Sequence, residues 1–174
     1  NAVAQHHQGI IVIQYDAHSD IDMNHSTLPY SQLDHGNYVN NLLRNSAVHK
    51  IIQVGVRDFS LPPNLAEFPI TRCRRISEVL TGVTSKKEKA YLTVDLDVFD
   101  PGHLSEVAYP IPNGLSVDSF LADCGMIAEA FQLVACDLVE YNPTETSNGQ
   151  GAVFVQYVLT NLLSYLCKSH VTLP

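Results

Sequence analysis

The chain has 174 residues, of which 45% are hydrophobic and 16% charged, and a formal net charge of −8. That length and balance suit one folded domain, 1–174, with a real core, and exclude a disordered chain. The acidic charge argues against a nucleic-acid or anionic-membrane partner, and no apolar run of membrane length or signal peptide is read in the chain.

Residues 1–8 read as the tail of a helix or as a loop. The first strand is expected over 9–15, where Ile10-Ile11-Val12-Ile13-Gln14-Tyr15 shows no polar alternation, as in a parallel strand buried on both faces. It runs into Asp16-Ala17-His18-Ser19-Asp20. If the chain stays extended there, Asp16, His18 and Asp20 project from one side of the strand end. Two carboxylates and an imidazole converging on one point form a metal site, because their repulsion and desolvation call for a cation. The plain alternative is a polar loop with a capping Asp. His7 lies nine residues before Asp16, about 30 Å away at the rise of a strand, so His6 and His7 read as surface residues.

Residues 21–35 are polar and lack period, a loop beyond the strand's C-terminal end, where open α/β sheets bind ligands. A short helix is expected over 36–45 with Val39, Leu42 and Leu43 inward, then a strand over 50–56 that releases Arg57-Asp58 on the same side. Pro62-Pro63 mark a turn, 68–73 a short strand and 76–80 a helical turn. The basic runs Arg72-Cys73-Arg74-Arg75 and Lys86-Lys87-Glu88-Lys89 read as solvated faces.

A second acidic strand end follows. Tyr91-Leu92-Thr93-Val94 continues into Asp95-Leu96-Asp97-Val98-Phe99-Asp100-Pro101, and as a strand over 89–97 it sets Asp95 and Asp97 on one face until Pro101 stops it. A turn-forming Asp-Pro accounts for Asp100 but not for two acids inside an apolar strand, where an unpaired carboxylate is costly. Two such strand ends in one domain point to a shared cation cluster. Residues 101–115 hold three Pro and two Gly, a long shaped loop. Ser116 caps a helix over 117–132, with Asp118 in its first turn and Val117, Phe120, Leu121, Cys124, Ile127, Ala128 and Phe131 at helical period. A strand over 133–139 delivers Glu140. A helix over 150–168 carries Val155, Val158, Leu159, Leu162, Leu163 and Leu166 on one face. Cys73, Cys124, Cys136 and Cys167 show no paired spacing, and the last three read as buried small hydrophobes in a reduced, cytoplasmic setting. Strands alternating with helices make the fold class α/β, three layers α/β/α around a mostly parallel sheet.

Asp16-Ala17-His18-Ser19-Asp20, followed by Asp95-Leu96-Asp97-Val98-Phe99-Asp100-Pro101, resembles the ureohydrolases: arginase, agmatinase, guanidinobutyrase and formimidoylglutamase. Asp34-His35-Gly36 resembles their His-Gly segment, and Asp137-Leu138-Val139-Glu140-Tyr141-Asn142-Pro143 their Asp-hydrophobic-hydrophobic-Glu-x-Asn-Pro segment. Order and spacing agree from about residue 10 to 166.

The resemblance implies an arginase-like fold, a homo-oligomer, and two Mn²⁺ ions whose hydroxide attacks a guanidino or formimino carbon. Carried over, Asp16 and Asp95 bridge the ions, His18 and Asp97 complete one, and Asp20 binds the other. The family's second ion also takes a His from an upstream Gly-Gly-x-His segment that is absent here, so the chain reads as the C-terminal part of the domain. Loss of the preceding strands is expected to bare the 10–15 strand as an apolar edge. A carboxylate-rich set with one imidazole also suits Mn²⁺ better than structural Zn²⁺.

Glu140, at the end of its strand, can hold a planar guanidinium bidentately, or is a surface Glu before a loop. His35 can pass a proton to the leaving amine, or is inert. Departures from the family include Asp22 where arginases carry Asn, a distinct loop Ser105-Glu106-Val107-Ala108-Tyr109-Pro110, and Gly151 where Thr is expected. The leading reading is agmatinase-like hydrolysis of a small guanidino substrate, with formimidoylglutamase activity or an inactive binding protein as alternatives. A deacetylase-like enzyme with one Zn²⁺ would leave Asp20 and Asp97 unnecessary.

Overall fold

The computed structural model describes residues 2–21, 34–58, 68–80, 88–145 and 147–169. Its elements are α1 (Ala2–His6), β1 (Ile10–Tyr15), α2 (Val39–Leu42), β2 (Val48–Val54), β3 (Ile70–Cys73), β4 (Lys89–Asp95), α3 (Val117–Ala130), β5 (Gln132–Val139) and α4 (Gln150–Ser169), with 3-10 turns at Ile76–Glu78 and Leu96–Val98. The five strands form one parallel sheet in the order β3-β2-β1-β4-β5. The chain therefore winds outward from β1 through β2 to β3, then crosses back to β4 on β1's other side. The C-terminal ends of β1 and β4 lie at that reversal, where parallel sheets open a ligand crevice.

β1 is the central strand, hydrogen-bonded to β2 and β4 along its length. This corrects the expectation of a bared edge there: the described edges of the sheet are β3 and β5. The centre is where a strand with no polar alternation belongs, since both its faces are covered. On one face Ile11, Ile13 and Tyr15 pack with Leu92, Val94, Phe120, Ile127, Val158 and Leu162, under α3 and α4. Tyr15, Phe99, Phe120 and Phe154 meet edge to face at centroid separations of 5.0–5.2 Å, each such pair worth about 0.5–1.5 kcal/mol beyond its buried area. On the other face Val12 and Ile51 pack with Ile21 and Val39 of the α2 side. The result is the expected α/β/α layering.

Ser116 caps α3, its hydroxyl accepting from Ser119 N, as its position before an apolar helical pattern implied. Three readings of burial change. On α4, Val158 and Leu162 are buried, but Leu159 and Leu163 are exposed, because the helix lies against α3 and β5 along a narrower stripe than its apolar residues cover. Cys124 is buried, whereas Cys136 is half-buried and Cys167 exposed; all four cysteines are free. Nor is Arg75 a solvated charge, because its guanidinium clasps Asp123 beneath α3. Asp22, Pro62-Pro63 and Lys86-Lys87, singled out in the sequence, lie outside the described residues.

Candidate metal centre

Both acidic motifs leave their strands as capped turns, not as extended chain. Past β1, Asp16 Oδ1 accepts from His18 N at 2.6 Å, and Asp20 adopts a left-handed backbone at φ 51°. Past β4, Asp95 Oδ1 accepts from Asp97 N at 2.9 Å and so caps the 3-10 turn Leu96–Val98. Strand β4 ends at Asp95, six residues before Pro101, because the aspartate's own side chain stops it. The expected alternation of Asp95 with Asp97 is replaced by a fold-back. That fold-back carries Asp97 to the β1 turn, where Oδ1 accepts from Ala17 N at 2.9 Å and Oδ2 meets His18 Nδ1 at 2.7 Å.

Asp16, His18 and Asp97 offer ligand atoms that all lie within 4.8 Å of one another. Asp20 adjoins them, since Gln14 Nε2 donates to both Asp16 Oδ2 at 2.8 Å and Asp20 Oδ2 at 3.2 Å. A cavity of about 340 Å³ opens above, lined by His18, Asp20, Asp95 and Asp97 together with His35, Asp58, Tyr109 and Glu140. Asp16 lies beneath, 1% exposed. The residues expected from sequence thus share one pocket. His6 and His7 are elsewhere: His7 Nδ1 sits 3.4 Å from Lys89 Nζ, at the other end of the sheet.

The electrostatics are unbalanced. Burial, then repulsion from Asp16, pushes the Asp20 carboxyl up to about 10. Burial, then repulsion from Asp16 and Asp97, pushes Asp95 up to about 9. Burial raises Asp16 as well. Asp97 goes the other way: burial opposes its charge, but hydrogen bonds from His18 and Ala17 N hold it below the usual carboxylate range. His18, bonded by Asp16 and Asp97, is raised to about 10. Four carboxylates therefore crowd one imidazole. The nearby Arg57 spends its guanidinium on backbone carbonyls, including those of Asp97 at 2.8 Å and Ile111 at 2.7 Å. Such a set is short of positive charge and rich in oxygen donors, which fits hard or borderline divalent cations.

The pocket's rim is built to hold its shape. Glu140 follows β5 with φ 64°, an αL conformation that costs a non-glycine residue about 1–3 kcal/mol and recurs at functional sites. Arg57 ties the β2 end to the loop carrying Tyr109, whose exposed ring stands 6.4 Å from that of His18. Gly114 lets this loop return against Phe99–Asp100, where a Cβ would come within 2.4 Å of the Phe99 carbonyl carbon. Glu106 accepts from Tyr141 Oη at 2.8 Å, so the loop is also tied to the segment after Glu140. A Cβ on Gly151 would lie 1.5 Å from Glu106 Oε2. Glu106 thus occupies the space that a side chain at position 151 would take.

Sequence reasoning passed over Gln14, Gln53, Tyr109 and Arg57's clamp. A signal existed for the glutamines, each an amide inside an apolar strand; the exposed Tyr109 had none.

The profile of the Arginase family matches residues 1–164. Formimidoylglutamase of Bacillus subtilis (strain 168) is 28% identical over 160 residues, 82% of this chain and 49% of that protein. N(1)-aminopropylagmatine ureohydrolase of Synechocystis sp. is 30% identical over 92 residues, 53% of this chain and 29% of that protein. The structure of proclavaminate amidino hydrolase from Streptomyces clavuligerus superposes with a TM-score of 0.79 at 22% identity, covering 97% of this chain and 60% of that one. The chain thus spans less than two thirds of each of these relatives.

Proposed function

The chain belongs to the arginase family, and from that premise we propose that it carries the metal-binding side chains of a hydrolase acting on the C–N bond of a linear amidine. One observation carries the reading: four aspartates and one histidine converge at the sheet's reversal point with too little positive charge of their own. Asp16, His18, Asp20, Asp95 and Asp97 would hold divalent cations there, and Mn²⁺ suits this oxygen-rich set with one imidazole. When bound, such cations supply Lewis acidity and make a water reactive near neutral pH.

The chain's own groups do the rest. Glu140, on the pocket wall, accepts two parallel N–H bonds from a planar amidinium and orients it. Tyr109 offers its ring face to the same flat cation. His35, in the same wall, hands a proton to the departing amine. A guanidino compound such as agmatine or arginine is the favoured substrate class, with a formimino compound next. These are readings of the whole protein's activity, supported by relatives named as ureohydrolase, amidinohydrolase and formimidoylglutamase.

The test measures urea release from agmatine, arginine and 4-guanidinobutyrate, and formamide release from formimidoylglutamate, with metal counted on the same sample. Turnover that vanishes with chelator and returns with Mn²⁺ is expected. A chain that takes up no metal and releases neither product from any substrate would remove the reading.

A further inference from the structure

We propose that Gln14, Gln53 and Arg72 form a positioning rung that fixes the carboxylates of Asp16 and Asp20 for cation binding. The inference rests on the reading of that cluster as a divalent-cation centre. The three residues are neighbours in register, Arg72 opposite Gln53 and Gln53 opposite Gln14. In-register residues on strands about 4.8 Å apart point the same way and touch. Arg72 Nε donates to Gln53 Oε1 at 2.7 Å. Gln53 Nε2 donates to Gln14 Oε1 at 2.8 Å and to the Ser19 carbonyl at 2.7 Å. Gln14 Nε2 donates to Asp16 Oδ2 at 2.8 Å and Asp20 Oδ2 at 3.2 Å.

The direction of the rung is forced. A guanidinium only donates, so Gln53 must turn its oxygen to Arg72 and its NH₂ toward β1. Gln14 must then turn its oxygen to Gln53 and its NH₂ to the aspartates. Both hydrogens of each amide are used, and the end of the rung is a pair of donors set between two carboxylates. One oxygen of each aspartate is pinned. The Ser19 bond holds the turn between them.

Nothing in the sheet requires this arrangement. The rung two residues earlier on the same face, Val12–Ile51–Ile70, is apolar and packs well. Gln14 and Gln53 are 1% and 0% exposed, and polar groups so placed cost free energy unless fully bonded. Arg72 adds to that cost, since its buried terminal nitrogens find no hydrogen-bond partner among the described residues. Orientation of metal ligands by their hydrogen-bonded neighbours is the return for such a cost.

Gln53→Glu is the sharpest probe. It keeps the size, pairs with Arg72, and removes both donors, so Gln14 turns its NH₂ to residue 53 and its carbonyl to the aspartates. Gln14→Met removes the donors at nearly constant shape. Mn²⁺ titration of the chain, followed by calorimetry and by the electron-spin signal of free Mn²⁺, should give affinities about 10- to 100-fold weaker for both variants. Their melting temperatures in chelator should stay within a few degrees of wild type. Equal Mn²⁺ affinity in both variants would overturn the rung, as would affinity loss matched by loss of metal-free stability. A wild-type chain that binds no Mn²⁺ overturns the cation reading and the rung with it, whereas wild-type binding with unaffected variants overturns the rung alone. Should neither variant fold, the Gln14 side-chain amide protons of the wild-type chain decide it by nuclear magnetic resonance. Slow exchange with a shift on adding Mg²⁺ supports the rung; fast exchange or no shift overturns it.

Discussion

Two groups of buried acid lie at either side of Tyr15, and the protein treats them in opposite ways. On the α3 side, Asp123 is fully buried and fully answered. Arg75 donates to it through Nε and a terminal nitrogen at 2.7–3.1 Å, and the Tyr15 hydroxyl donates at 3.2 Å. On the other side, one residue along the chain, Asp16 joins Asp20, Asp95 and Asp97 around His18, with no arginine or lysine hydrogen-bonded to their carboxylates among the described residues. A chain that can match a buried carboxylate with an arginine leaves this second group unmatched. The first cluster is complete in itself and holds the 3-10 turn Ile76–Glu78, α3 and β1 together. The second has no fixed cation to match its carboxylates, which is why it reads as a candidate site and the first as a staple.

The contrast breaks most sharply by exchanging what each variant costs. Asp95→Asn keeps the cap on Asp97 N through its carbonyl oxygen but removes one of the crowded carboxyl groups. It should abolish metal-dependent turnover and lower the Mn²⁺ count per chain, while the melting temperature in chelator holds or rises. Arg75→Met should do the reverse. It leaves Asp123 buried beside only the Tyr15 hydroxyl and a backbone N–H, a loss of about 3–5 kcal/mol in urea unfolding. Its Mn²⁺ affinity, measured where the chain is still folded, should stay close to wild type. If Asp95→Asn destabilises the metal-free chain as much as Arg75→Met does, the two clusters are both structural and the distinction fails.

Glu140→Gln tests the pocket's wall against its floor. The amide keeps shape and one acceptor but loses the charge that a guanidinium would face. A roughly 10- to 100-fold rise in KM for a guanidino substrate is expected, at unchanged Mn²⁺ content, from the loss of a charge-assisted bond worth about 1.5–3 kcal/mol. An unchanged KM would take Glu140 out of substrate binding.

The sequence made the site legible where chemistry is carried by residue type, and less so where it is carried by turn geometry. Asp16, His18, Asp20, Asp95 and Asp97 stand out because acids at the ends of apolar strands need a reason. Their arrangement does not follow from the strand period, since Asp16 and Asp95 each cap their own turn and fold back the residue two places on. The layering of sheet and helices was readable from alternation. The strand order was not, because nothing in β1's composition distinguishes a central strand beside β4 from one bared by a missing neighbour. Arg75 looked like surface charge because its partner, Asp123, lies 48 residues away within an apolar helix. Gln14 was hidden by its setting: five apolar neighbours make a strand, and the one amide among them passes as a tolerated exception until Gln53 is found in register with it.

One further effect separates the clusters without a mutation. In the metal-free chain His18 is held up to about 10, Asp20 to about 10 and Asp95 to about 9, each above its ordinary value. Between pH 6.5 and 9 the folded chain therefore keeps protons on these groups that the unfolded chain has released. Stability rises with pH only where the unfolded state binds more protons, and here it binds fewer, so the metal-free fold should weaken steadily across that window. Urea unfolding in chelator at pH 6.5, 7.5 and 8.5 should show a falling midpoint. Adding Mn²⁺ should reverse the trend, because ligands must lose their protons to bind and do so more readily as pH rises. The Arg75 guanidinium offers no such slope, since an arginine does not titrate in that window. In an Asp20→Asn, Asp95→Asn double variant the metal-free slope should flatten while the Arg75 staple remains. His18, still bonded to Asp16 and Asp97, keeps its share of the slope in that variant, so an undiminished slope would take the pH dependence away from Asp20 and Asp95.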